Sequence, residues 1–113
     1  MNSRDKGKRG ELEAAHMLQG FGYGARRGQQ FSGANGDADV VGLPGIHIEV
    51  KRVEKLNIEK AIEQSQADAR SEELPIVLHR KNRQSWLVTM PFADWMKLYK
   101  AWEEDNERIH KDL

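Results

Sequence analysis

Asp39, Glu49 and Lys51 lie within NGDADVVGLPGIHIEVKR, residues 35–52. One residue separates Glu49 from Lys51, so on an extended strand both project from the same face. Asp39 stands just before the apolar pair Val40-Val41. A strand pair closing across the Leu43-Pro44-Gly45 turn would bring Asp39 close to Glu49. Two carboxylates a few ångströms apart repel each other unless a cation sits between them. Oxygen ligands without sulfur favour Mg²⁺ or Mn²⁺. Lys51 beside such a cation could orient or deprotonate a water. Together these groups suit phosphodiester hydrolysis, in which a metal polarises the phosphate and lowers the pKa of its bound water. The plain alternative is that Glu49 and Lys51 face solvent on a half-exposed strand.

Local patterning supplies the elements that must hold these residues. Residues 7–20 read as a helix with Leu12, Ala15, His16, Leu18 and Gln19 on one face and Gly20 as its stop. GYGARRGQQF reads as a first strand and SGANGDAD as a loop, in which Asp37 is turn chemistry. Residues 38–42 form a short apolar strand. Residues 46–52 alternate, with Ile46, Ile48 and Val50 on one face and His47, Glu49 and Lys51 on the other. Asn57 caps a helix over residues 57–73, with Ile58, Ala61, Ile62, Ser65 and Ala69 along one side. Residues 75–80 and 85–90 read as a hairpin around the basic turn Lys81-Asn82-Arg83-Gln84. Pro91 suits the first position of a last helix, 91–110, whose apolar side holds Phe92, Trp95, Met96, Leu98, Tyr99 and Trp102. The order α-β-β-β-α-β-β-α implies an α/β or α+β fold with a mixed sheet flanked by helices.

Composition narrows the function classes. The 113 residues suit one domain. No apolar run spans a membrane, and the first ten residues lack the apolar core of a secretory signal. Cysteine is absent, which excludes disulfides, thiolate metal sites and a cysteine nucleophile. A cytoplasmic location is the expectation. Net charge is zero, from 18 basic and 18 acidic residues, and does not by itself favour a nucleic-acid partner. The charges are uneven, however. Residues 1–30 carry six basic residues against three acidic, and residues 91–113 carry four against six. That split makes a two-sided molecule with a basic arm at 1–6 and an acidic last helix.

Asp39 followed by Glu49-Val50-Lys51 resembles the PD-(D/E)xK nuclease motif, with Ala38 where a proline often stands. The flanks resemble archaeal-type Holliday junction resolvases and their small phage-borne members. KGKRGELEAAHML matches the family's opening helix, in which Gly7 is followed four residues later by Glu11, and QQFSGANGDADVV matches its serine-containing loop at Ser32. The likeness covers about residues 6–70, with a softer match over PIVLHRKNRQSWLVTM. It implies an α/β restriction-endonuclease-like core with an added C-terminal helix. It also implies that Asp39, Glu49 and the carbonyl of Val50 bind Mg²⁺, with Mn²⁺ able to substitute. Glu11 would complete the acidic site and Lys51 would aid the water. Gln64 would stand beside the site, with Gln66 an equally spaced rival.

The resemblance further implies a homodimeric endonuclease that cuts four-way junctions in pairs of nicks. The alternatives are a nuclease for flapped, nicked or duplex DNA, or a DNA-binding module without catalysis. Lys6, Lys8, Arg9, Ser32, Arg80, Lys81 and Arg83 are the candidate DNA contacts, although a basic arm and a hairpin tip are also ordinary solvated features. His47 reads as a satisfied surface histidine and His16 as helix packing. Trp86, Trp95 and Trp102 read as core or interface residues rather than base-stacking platforms.

Overall fold

The computed structural model describes residues 3–29 and 38–111, with side chains for 7–29 and 38–108. The elements run α1 (Ser3–Gly20), β1 (Arg26–Arg27), β2 (Val40–Val41), β3 (Ile46–Arg52), α2 (Ile58–Asp68), β4 (Leu74–Arg80), β5 (Leu87–Thr89) and α3 (Phe92–Lys111). The five strands form one mixed sheet in the order β1-β2-β3-β4-β5. β1, β2 and β3 pair antiparallel, β3 and β4 pair parallel along their length, and β5 returns antiparallel to β4. A parallel pair needs a long crossover, and α2 supplies it.

Periodicity explains the layers. Ile48 and Val50 face Ala14 and Ala15 of α1, with Val40, Ile76 and Leu78 completing that core. The opposite face of β3 bears His47, Glu49 and Lys51. There α2 lies over the sheet through Ala61 and Ser65, both buried. Ser65 Oγ donates to the carbonyl of Ile76 at 2.9 Å, which ties α2 to β4. Asn57 Oδ1 accepts from the Lys60 amide at 3.2 Å, the expected N-cap.

Several boundaries differ from the sequence reading. α1 begins at Ser3, so Arg4 and Lys6 lie on helical backbone and not on a separate arm. Its buried face is Gly10, Glu11, Ala14 and Ala15, while Leu12 and His16 are exposed. Small residues win that face because the helix sits close to the sheet. A Cβ on Gly10 would lie 2.6 Å from Arg52 Cβ. The left-handed residue after α1 is Gly22 at φ 95°, two residues past the expected stop. β1 is only Arg26–Arg27, and the end of the expected first strand lies outside the described residues. α2 stops at Asp68 because Ala69 turns to extended backbone at ψ 144°. α3 starts after Pro91, whose carbonyl accepts from the amides of Asp94 and Trp95.

Gly42 fixes the strand that carries Asp39. Its φ is 124°, and a Cβ there would meet the backbone of Ala25 at 2.6 Å. Gly42→Ala should therefore lower stability by about 2 kcal/mol, combining backbone strain with overpacking against backbone. Thermal or denaturant unfolding checks this, and a neutral effect would mean that β1 and β2 do not approach so closely.

Candidate active site

The antiparallel register pairs Val40 with Ile48. One step further along the same register stand Asp39 and Glu49. The aspartate is fixed by the Val50 amide, which donates to its Oδ2 at 2.8 Å. That bond orients one oxygen of the carboxyl group. Glu49 is 4% exposed, and its Oε1 lies 2.8 Å from His47 Nε2. His47 is itself 3% exposed, and its Nδ1 lies 3.8 Å from Glu73 Oε1. A chain of polar groups thus runs from Asp39 through Glu49 and His47 to Glu73.

The electrostatics follow from burying like charges together. Burial raises the pKa of Asp39, and the neighbouring Glu49 raises it further, to about 7, against the opposing pull of the Val50 amide. Burial also works to raise the pKa of Glu49, but the hydrogen bonds with His47 and Asp39 outweigh it and its pKa falls below the ordinary value. A hydrogen bond joins the two carboxyl groups, so one proton serves both. Burial disfavours charge on His47, yet the hydrogen bond and charge of Glu49, with Glu73 and Asp68 beyond, raise its pKa overall. Glu11, buried on α1, is raised by burial first and by Glu49 in part, while Arg27 opposes both. Arg27 Nη2 stands 3.7 Å from Glu11 Oε2. Three carboxylates, from α1, from the residue just before β2 and from β3, thus share one electrostatic environment.

Lys51 reaches across to α2, where its Nζ lies 3.4 Å from Gln64 Oε1. Of the two rival glutamines, Gln64 is the one aimed at Lys51. The donor set fits a divalent cation. Asp39, Glu49 and the Val50 carbonyl would offer oxygen, and a cation between the two carboxylates would relieve their repulsion. A second grouping, His47, Glu49 and Asp68, can bring one ligand atom from each residue within 4.8 Å of the others.

The candidate DNA contacts divide. Lys8, Arg9, Lys81 and Arg83 are exposed. Arg9 and Asn82 of the hairpin tip line one hollow with Arg52, so the two basic regions approach each other. Arg80 is engaged instead, with Glu13 and with the carbonyl of Gln84. Glu13 also holds Arg52 at 3.3 Å and so clamps α1 to β3 and β4. Ser32, Asp37 and the side chain of Lys6 lie outside the described residues.

Two nearby groups, Asp68 and Arg27, were not marked by sequence reasoning, and a third, His47, was read as a surface histidine although its face could bring it to a metal or DNA. His47 is buried against Glu49. The signal was its place two residues before Glu49 on the same strand face. Asp68 follows Gln64 by one helical turn, which puts both on one side of α2. Arg27 looked like one of many cations, and only the β1–β2 register brings it to Glu11.

The profile of the phage PDDEXK endonuclease family matches residues 2–112. The chain belongs to that family. It is a nuclease of the PD-(D/E)xK superfamily, and its core is built like that of a junction-cutting relative. A similar solved structure is the 1.6 Å structure of Hjc from Archaeoglobus fulgidus, a Holliday junction resolvase from an archaeal hyperthermophile. The two are 26% identical, with a TM-score of 0.56, over 75% of this chain and 72% of the other. No curated protein matches the sequence. Divalent metals are the general cofactors of this superfamily. Among the described residues, no helix is long and apolar enough to cross a membrane.

The raised pKa of Asp39 has a measurable consequence in the cation-free nuclease. Its folded value near 7 lies above the ordinary 3.8, so the folded chain holds a proton that the unfolded chain has lost between those values. Stability from this group is present below about pH 4 and is lost as pH rises through 7. Glu49, shifted the other way, acts only at more acidic pH. In EDTA, thermal unfolding should fall from pH 5 to pH 8 more steeply for wild type than for Asp39→Asn. Added divalent cation should restore wild type at pH 8 and leave the variant unchanged. Parallel pH profiles for the two proteins would contradict the shared-proton geometry.

Proposed function

We propose that this nuclease is a Mg²⁺-dependent endodeoxyribonuclease that introduces paired nicks at four-way DNA junctions. The observation that carries the reading is the convergence of Asp39, Glu49, Val50 and Lys51 at the β2–β3 contact, in a chain whose fold matches a junction resolvase at 26% identity. Asp39, Glu49 and the Val50 carbonyl would hold the cation, which supplies Lewis-acid polarisation of the phosphate and an acidified water. Lys51 orients that water or takes its proton, steadied by Gln64 at 3.4 Å. Glu11 closes the acidic side of the site, and Arg27 opposes the burial that disfavours its charge. Lys6, Lys8 and Arg9 on α1, with Lys81 and Arg83 on the hairpin, supply phosphate contacts. Paired nicks need two sites, so the reading includes a homodimer.

Asp39→Asn and Glu49→Gln should abolish cutting and leave DNA affinity near wild type, because they remove metal ligands and not phosphate contacts. Lys51→Ala should lower the rate by about 10²-fold, the scale of one positioned acid–base group. DNA affinity should fall steeply with salt through the basic residues of α1. Wild-type cutting by either carboxylate variant would remove the assigned site.

The deciding experiment offers labelled four-way junction, flap, nicked duplex, linear duplex and single strand, each with Mg²⁺ and with EDTA. Symmetric nicks on the junction alone support resolution. Cutting of flaps or duplex keeps the metal site and changes the substrate. Binding without cutting, in both Mg²⁺ and Mn²⁺, would leave a DNA-binding module.

A further inference from the structure

α3 carries an aromatic ladder that the catalytic reading does not use. Ring centroids stand 6.0 Å apart for Phe92–Trp95, 5.5 Å for Trp95–Tyr99 and 5.8 Å for Tyr99–Trp102. These rings are 74%, 45%, 37% and 62% exposed in chain order, and Leu98 between them is 44% exposed. Trp95, Leu98, Tyr99 and Trp102 line a shallow groove along the helix. Among the described residues, the helices packed extensively on the sheet are α1 and α2. The molecule measures 56 Å by 31 Å by 26 Å, as expected when a helix of about 30 Å extends from a small core. An amphipathic helix this long draws its stability from something that covers its apolar side.

We propose that a second copy of this chain covers it, with the two α3 helices packed antiparallel about a two-fold axis between Leu98 and Tyr99. In that register Trp95 lies opposite the other copy's Trp102, and Leu98 lies opposite Tyr99. The stripe is its own complement, as a two-fold interface requires. Taking roughly 150–250 Å² for a buried aromatic side chain, the exposed parts of these five residues come to about 500–600 Å² per chain. Two copies would hide about 1,100 Å² of apolar surface before any polar rim is counted, close to the lower end of stable interfaces.

Charge selects the partner and the direction. Lys97 and Lys100 lie within the span of the stripe, and Glu103, Glu104, Asp105 and Glu107 follow it with Arg108, so the end of the stripe is acidic and disfavours a phosphate backbone or an anionic bilayer there. A parallel pair would place these acids on their own copies. The antiparallel pair sets them beside the positive N-terminal end of the neighbouring helix. Each catalytic site stays on its own sheet, and the pairing does not depend on cleavage chemistry.

The test is oligomeric state in solution, by sedimentation velocity and light scattering of the full chain. Wild type and Glu49→Gln should both be dimers, so a failed nuclease assignment would leave this result standing. The Trp95→Glu/Trp102→Glu double variant should self-associate at least about 10-fold more weakly, since buried tryptophans anchor interfaces, while keeping its far-ultraviolet circular dichroism. Because the chain has no cysteine, single cysteines report the register. Leu98→Cys should cross-link to its own copy on oxidation. Phe92→Cys should not, because its copy would lie about 20 Å away along the axis, beyond disulfide reach. A monomeric wild type at its highest soluble concentration would overturn the proposal and leave the stripe for another protein. A dimer that the double variant preserves, or cross-linking at both cysteines, would overturn the interface or its direction.

Discussion

Everything in the site depends on holding two carboxylates in contact inside a small protein. Asp39 and Glu49 repel, and burial makes the repulsion worse. The antiparallel β2–β3 register forces them together, and the Val50 amide pins Asp39 in place at 2.8 Å. A shared proton relieves the repulsion in the isolated chain. A divalent cation relieves it better, because it neutralises both groups at once and leaves neither protonated. The fold thus stores an electrostatic demand at one point of its sheet.

The neighbouring elements serve that demand. Gly10 lets α1 approach β3 and so brings Glu11 to the acidic side. Glu13 clamps α1 to two strands through Arg52 and Arg80. On the other face, Ala61 and Ser65 bring α2 low enough for Gln64 to meet Lys51. His47 takes one oxygen of Glu49 and is backed by Glu73, which steadies the carboxylate that a metal would share. Each contact is worth little alone, but a metal site gains its precision from the partners that orient its ligands.

The basic groups are arranged with more economy than a list of cations suggests. Arg80 and Arg52 are committed to Glu13, and Arg27 faces Glu11. Their work is internal. Lys8 and Arg9 on α1 and Lys81 and Arg83 on the hairpin tip are exposed, and Arg9 lines a hollow with Asn82 between those regions. A net charge of zero is therefore compatible with a DNA partner, because several acidic groups are themselves committed to internal ion pairs.

The sequence by itself marked the candidate reacting groups. Strand alternation over residues 46–52 put Glu49 and Lys51 on one face, and the Asn57 cap and the spacing of Ala61 and Ser65 placed α2. These signals are local, and local geometry sets them. Only the tertiary structure decided the rest. The buried face of α1 was shifted from Leu12 and His16 to Gly10, Glu11, Ala14 and Ala15, because close approach to a sheet rewards small side chains over large ones. His47 became a buried partner of Glu49 because α2 covers a strand face that alternation alone left open to solvent. Arg27 met Glu11 through a strand register that two residues cannot announce. The aromatic side of α3 was legible as apolar, but whether it covered the sheet or faced outward depended on where the chain turned at Pro91. Composition can mark a surface for burial, and only the path of the chain decides what lies against it.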